Sequence, residues 1–209
     1  MIVHPEIEKY LEKLSPLAHP VLEEMQRLAA ERNFPIIGPL VGRFLVSLIQ
    51  FGHVHTVLEC GSGFGYSALW MATALSENAN ITCIEYDPAN IELAKNFFKK
   101  AGLSHKITFL QGNALEIVPT LSHTYDLILN DVDKEQYPPL LPLLLPRLRT
   151  GGMLITDNVL WKGKVTREPQ DIPTRAIQQY TEALMQQKDL WSSIIPIRDG
   201  LSISIKLRV

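Results

Sequence analysis

Between residues 5 and 32 apolar positions fall at helical spacing, Ile7, Leu11 and Leu14 and then Val21, Met25 and Leu28. Pro16 and Pro20 break the run, which predicts two short amphipathic helices forming a leader over residues 1–35. Beyond Gly38-Pro39 a further helix runs through Val41, Leu45, Leu48 and Ile49 and stops near Gly52. The pattern then alternates between short β-rich runs and longer helical stretches, as βαβ units of a parallel sheet do. The strands expected are 56–60, 81–85, 107–110, 127–129 and 152–156. Two last β-rich runs, 191–197 and 201–207, flank Arg198-Asp199-Gly200, where Asp-Gly predicts a hairpin. The segment 137–148 precedes the Gly151-Gly152 turn and holds Pro138, Pro139, Pro142 and Pro146, so its helix should be short or kinked. The expectation is one α/β domain over residues 1–209: a Rossmann-like, mostly parallel sheet flanked by helices, with a C-terminal antiparallel hairpin.

Composition narrows the function classes only slightly. The 209 residues are 46% hydrophobic and 20% charged, which suits a packed globular core. A formal charge of -2 provides no overall basic field for nucleic acid or an anionic membrane. Cys60 and Cys83 lie in apolar strand-like runs without zinc or redox spacing, and read as packed thiols. No signal-peptide pattern and no membrane-length apolar run is visible, so the expected location is the cytoplasm. The six histidines are scattered, which argues against an imidazole metal site or catalytic dyad.

The first expected strand runs into Glu59-Cys60-Gly61-Ser62-Gly63-Phe64-Gly65-Tyr66-Ser67, followed by helix. Glycines at such a junction allow a sharp turn and a close approach of backbone to ligand, and the helix offers free amide donors. A tight turn that merely needs glycine is the plainer reading; three glycines in five residues favour a nucleotide site. Glu85 closes the second strand, where a carboxylate can accept hydrogen bonds from ribose hydroxyls. The glycines follow G-x-G-x-G and not the dinucleotide pattern. Glu59, just before the turn, would repel a pyrophosphate and tolerate a cationic ligand such as S-adenosylmethionine.

Asp131 follows the expected strand 127–129, and Asp157-Asn158 follows 152–156. In an open parallel sheet ligands bind beyond the carboxyl ends of strands, so these side chains can converge on the rim that carries the glycine loop. Carboxylate and amide oxygens without thiols or imidazoles suit a hard divalent cation, magnesium first among magnesium, calcium and manganese. Either group alone is equally consistent with solvated strand-end acids and a cap or turn. Lys134, three residues after Asp131, reads as a surface lysine in isolation and as a proton acceptor beside a cation and a buried hydroxyl.

Taken in order and spacing, the segment 59–67, Glu85, Gly112-Asn113-Ala114-Leu115, Asp131-Val132-Asp133-Lys134 and Asp157-Asn158-Val159-Leu160-Trp161-Lys162-Gly163 resemble the cation-dependent O-methyltransferases that include the caffeoyl-CoA and catechol enzymes. The resemblance runs from about Pro35 to Ser204. It implies the methyltransferase version of the Rossmann-like fold and S-adenosylmethionine as cofactor. Glu59, Gly61, Ser62, Gly63 and Ser67 would then face the methionine part, Glu85 the ribose and Asn113 and Ala114 the adenine, with Asp131 bordering the cofactor. It implies Asp131, Asp157 and Asn158 as ligands of a divalent cation, Lys134 with Asp131 as the catalytic pair, and Asp133 and Lys162 at the substrate. One position departs from the family: Asn130, usually apolar, either bonds the Asp131 carboxylate or faces a polar loop.

The acceptor is expected over the cation, between residues 159–165, the leader and the turn at Arg198-Asp199, with Trp161 either stacked on an aromatic ring or part of the core. A catechol-like or phenolic small molecule fits, because two adjacent oxygens can chelate one cation. Two alternatives stay open: methylation of a wobble 5-hydroxyuridine in tRNA, using Lys99-Lys100 and Lys162 to Lys164 on phosphates, and a nucleotide-binding protein without transferase activity. A homodimer is expected from apolar helix faces in the leader, and no membrane partner.

Overall fold

The structure is a computed structural model describing residues 3–208. Its seven-stranded sheet has the order β3-β2-β1-β4-β5-β7-β6. Strands β1 (Thr56–Cys60), β2 (Asn80–Glu85), β3 (Ile107–Gln111), β4 (Tyr125–Asn130) and β5 (Leu148–Thr156) are mutually parallel. The hairpin β6 (Leu190–Ile195) and β7 (Leu201–Lys206) adds antiparallel through β7, which leaves β6 at the edge. β5 starts at Leu148, ahead of the Gly151-Gly152 pair, and β6 ends at Ile195, short of the expected 197.

Buried residues divide into two cores, one on each face of the sheet. On one side Val57, Leu127, Leu129 and Ile155 pack with α2 (Val21–Glu31), α3 (Gly38–Gly52), α4 (Tyr66–Ala74) and α5 (Pro88–Lys100). On the other, Leu58, Ile128 and Leu154 pack with α6 (Ala114–Ile117), α7 (Tyr137–Leu144) and α8 (Ile172–Gln186). This β1, β4, β5 alternation is the period of two that a sheet covered on both faces requires. α2 buries Val21, Leu22, Met25 and Ala29, whereas α1 (Pro5–Lys13) buries none of its residues. Helices α3 and α4 meet at Gly42, where a Cβ would lie 2.5 Å from the buried Trp70 ring. Among the described residues no helix is long and apolar enough to cross a membrane.

The proline-rich helix is short, as its composition requires. α7 carries two of its prolines in the first turn and Pro142 inside, ends at Leu144, and tightens into a 3-10 turn over Leu145–Arg147. Lys206 reaches across from β7 and donates to the carbonyls of Leu145 at 2.6 Å and Leu148 at 2.9 Å, supplying donors that the broken helix lacks. Both cysteines are free and buried.

Strand order reverses between β1 and β4, so a crevice opens beyond the carboxyl ends of these two strands.

Candidate active site

Backbone hydrogen bonds continue past the strand ends and tie the candidate segments into one rim. Gly112 N donates to Glu85 O at 3.0 Å, Gly61 N to Ile84 O at 2.9 Å, Asp131 N to Cys60 O at 2.9 Å and Asp157 N to Asn130 O at 3.3 Å. Segments from β3, β2, β1, β4 and β5 therefore stand side by side at strand spacing, although they come from distant parts of the chain. They wall a cleft of about 1400 Å³, room enough for two ligands together. Gly61, Ser62, Gly63, Ser67, Glu85, Asn113, Ala114, Asp131, Asp133, Lys134, Asp157, Asn158, Trp161 and Lys162 all line it.

The glycine loop is held by the acids around it. Gly61, Gly63 and Gly65 all have positive φ, and a Cβ at Gly61 would lie 2.3 Å from the Asp131 carbonyl oxygen. Gly63 N donates to Glu85 Oε2 at 2.8 Å, and Asp87 N to Glu85 Oε1 at 3.0 Å. Glu59 is placed differently from the rest: fully buried, it does not reach the cleft wall. It accepts hydrogen bonds from the Ser67 hydroxyl and from the Cys83 thiol at 3.4 Å, beneath the loop. Burial raises its pKa to about 7, against the lowering effect of those two bonds. Asn113 caps α6, its side chain accepting from Leu115 N at 2.9 Å. Facing the same end of the cleft, Ser62 Oγ and Asn90 Oδ1 are buried without a hydrogen-bond partner among the described residues. Water or a bound group can satisfy buried polar atoms in that condition.

At the other end lie the strand-end acids. Asn130 and Thr156 are registered neighbours in β4 and β5, so Asp131 and Asp157 follow side by side. Asp157 is 4% exposed, and burial followed by the charge of Asp131 lifts its pKa to about 7. Asp131 is raised by burial too, against the pull of Lys134. Asn158 adds an amide from a left-handed backbone position, φ 59. Crowded carboxylates that raise one another's pKa, joined by an amide oxygen, form a donor set that fits a hard cation. Among the described residues no group of three or more His, Cys, Asp or Glu side chains forms a metal-binding cluster, so any such site rests on two carboxylates and the amide.

Lys134 Nζ donates to Asp131 Oδ1 at 2.9 Å, Val132 O at 3.3 Å and the Tyr137 hydroxyl at 2.8 Å. All three ammonium hydrogens are thus directed to oxygens. Tyr137, fully buried, passes its own hydrogen to the Asp157 carbonyl at 2.9 Å. Sequence reasoning missed Tyr137, which lies in the proline-rich segment. Asn130 does neither of the things expected of it: fully buried, its side-chain amide bonds neither the Asp131 carboxylate nor a polar loop and stands at the β4 end that faces Tyr180.

The rim beyond the acids is built by two stitched loops. Val159 N donates to Gly200 O at 3.1 Å, Leu160 N to Asp199 O at 2.9 Å, and Lys162 N to the Asp199 carboxylate. Trp161 is half-buried and packs on the second core, its indole N–H without a partner among the described residues, while Lys162 is exposed. Lys164 pairs with Asp171 at 2.8 Å and Lys100 with Glu24 at 2.6 Å, which engages two of the lysines considered for phosphate contact.

A glycine loop, a strand-end carboxylate beside it and a second acid pair on the same rim define an α/β enzyme that brings a nucleotide-type cofactor against a second substrate. A family model described as O-methyltransferase matches residues 12–207, and the chain belongs to that family. Among its relatives, a catechol O-methyltransferase from Niastella koreensis is 32% identical, over 80% of this chain and 78% of its own. A caffeoyl-CoA O-methyltransferase from Medicago sativa is 29% identical, over 92% of this chain and 84% of its own. The same fold is found in the O-methyltransferase TomG from Streptomyces achromogenes, solved with S-adenosylmethionine, at TM-score 0.89 and 24% identity, with 97% and 96% of the two chains covered.

Proposed function

We propose that this O-methyltransferase moves a methyl group from S-adenosylmethionine to one hydroxyl of a catechol-like or phenolic small molecule, with a divalent cation, magnesium foremost, between Asp131, Asp157 and Asn158. The observation that carries the reading is the shared rim: the glycine loop and the strand-end acids open into one cleft, and a Cβ at Gly61 would touch Asp131.

S-adenosylmethionine supplies an activated methyl group on a sulfonium. Gly61, Ser62, Gly63 and Ser67 are placed to hold its methionine part, Glu85 its ribose, and Asn113 with Ala114 its adenine; the unpartnered Ser62 and Asn90 oxygens supply further acceptors. Buried beneath the loop, Glu59 holds Ser67 in place behind the methionine end of the cofactor. A cation held at the acids would lower the pKa of an acceptor hydroxyl and fix its place. Lys134 would take the released proton as the neutral amine, after one of its ammonium hydrogens has passed to solvent, and its remaining bonds to Asp131 and Tyr137 set the direction of the lone pair. Asp133, Trp161 and Lys162 line the acceptor end.

The test is transfer of a labelled methyl group to catechols, hydroxycinnamoyl-CoA esters and hypomodified tRNA, with magnesium and with a chelator. Magnesium-dependent labelling of a catechol is the expected result. Labelling confined to tRNA, or labelling indifferent to the chelator, overturns the reading.

A further inference from the structure

We infer that Arg198 reads an anion in the acceptor site, selecting acceptors whose hydroxyl-bearing ring also carries a carboxylate. The inference rests on the proposed acceptor position over Asp131 and Asp157, and its observations lie elsewhere, in the turn between β6 and β7.

Arg198 has φ 47, a left-handed conformation that strains a residue with a Cβ and leaves a glycine unstrained. The turn closes by Gly200 N donating to Ile197 O at 2.9 Å, and it is fastened to the acceptor rim through Val159, Leu160 and Lys162. That rim is itself left-handed at Asn158, Trp161 and Lys162. Strained backbone persists where the surrounding structure over-determines it, and such positions gather at ligand sites. A glycine would relieve the strain, so the guanidinium is what the strained position retains.

The side chain is aimed and incompletely used. Nη1 donates to Ile36 O at 2.8 Å, and the group lies over Gly38, where a Cβ would come within 3.1 Å of it. Nε forms a 3.8 Å ion pair with Glu8 Oε1, too long for a hydrogen bond. Among the described residues Nε and Nη2 therefore donate to nothing, and the side chain is one-third exposed. Arg198 lines the main cleft on one flank, and on the other a small apolar cavity with Leu11, Leu40 and Ile195. Two N–H groups on one edge of a planar fork, paired to Glu8 only at 3.8 Å and beside apolar walls, match the two oxygens of an acceptor carboxylate that would displace Glu8.

A plainer role would be to offset the acids nearby, since its charge reaches Asp131, Asp157 and Asp199. Asp131 already has Lys134 at 2.9 Å, however, and Asp199 bonds the Lys162 amide. That role also predicts equal treatment of charged and neutral acceptors.

The experiment is calorimetric titration of 3,4-dihydroxybenzoate and its methyl ester into the protein with magnesium and S-adenosylhomocysteine, alongside labelled methyl transfer to both. Wild type should bind the acid more tightly than the ester by about tenfold, the worth of a charge-assisted pair. In Arg198→Gly the ratio should fall to near one, with a melting temperature equal to or above wild type because glycine accepts the backbone angle. Arg198→Lys, with charge but no fork, should keep part of the ratio. Equal binding of acid and ester by wild type, or a ratio that survives in Arg198→Gly, overturns the inference. Acid preference without transfer to either compound overturns the proposed methyl transfer alone, and transfer without preference overturns the role of Arg198 alone.

Discussion

The hydroxyl of Tyr137 accepts from the Lys134 ammonium at 2.8 Å and donates to the Asp157 carbonyl at 2.9 Å, so one buried phenol joins the segments that follow β4 and β5. Removing it leaves a lysine hydrogen and a buried carbonyl unpaired. Tyr137→Phe should fold with a stability loss of about 1–3 kcal/mol. It should also lower kcat while the cofactor dissociation constant holds. Thermal melts and equilibrium dialysis check the two halves, and an unchanged kcat removes Tyr137 from the positioning of Lys134.

Lys134 itself separates charge from proton transfer. Lys134→Arg retains a cation for Asp131 and supplies no usable base, whereas Lys134→Ala removes both. Each should reduce turnover by roughly 100-fold or more, the usual worth of a positioned base. Turnover near wild type in the arginine variant, with cofactor and magnesium still bound, means that the lysine acts only by its charge.

At Gly61 the glycine loop and the segment after β4 occupy the same few ångströms. A methyl group there would lie 2.3 Å from the Asp131 carbonyl oxygen and 2.9 Å from Val132 N, both backbone atoms with no soft way to yield. The backbone angle, φ 84, adds strain. Gly61→Ala should therefore weaken S-adenosylmethionine and magnesium together, seen by titrating each separately. Loss of the cofactor alone would show that the two half-sites move independently.

Much of this arrangement was legible in the residues. The β-rich runs, the glycine loop and the acids after 127–129 and 152–156 mark strand ends, and the strand-end rule for parallel sheets brings them to one rim. What escaped was set by side-chain direction and backbone angle. Glu59 is registered with Cys83 across β1 and β2, so both point to the same face, and the carboxyl goes under the loop. Nothing local in the sequence reports that pairing. Tyr137 was hidden by its prolines, which draw attention to the broken helix and away from its first residue. At the last hairpin Asp-Gly signals the turn, yet a left-handed angle also falls on Arg198, where long side chains are disfavoured. Its cause is the fastening of that turn to residues 159–162, a tertiary effect.

Two buried carboxyls at about pH 7 give stability a pH slope with a definite sign. Glu59 and Asp157 are both raised to about 7, while an unfolded carboxyl titrates near 4. Between those values the folded chain holds protons that the unfolded chain has released. Their contribution is fully present below about pH 4 and is lost as pH rises through about 7, up to about 3 kcal/mol for each group. Asp126, against the raising effect of its partial burial, is lowered by the His55 N–H, by Arg149 and by the Thr56 N–H, acts in the opposite sense, and does so only below the ordinary carboxyl range, so the windows separate. Chelator-treated protein should therefore melt lower at about pH 8 than at about pH 5. A cation at Asp157 competes with its proton, so magnesium should raise the melting temperature more at the higher pH. Asp157→Asn should abolish that magnesium gain, and Glu59→Gln should flatten the slope while leaving the gain in place. A melting temperature that climbs from pH 5 to 8 without metal contradicts the buried, charge-crowded site, and a magnesium gain that persists in Asp157→Asn places the cation elsewhere.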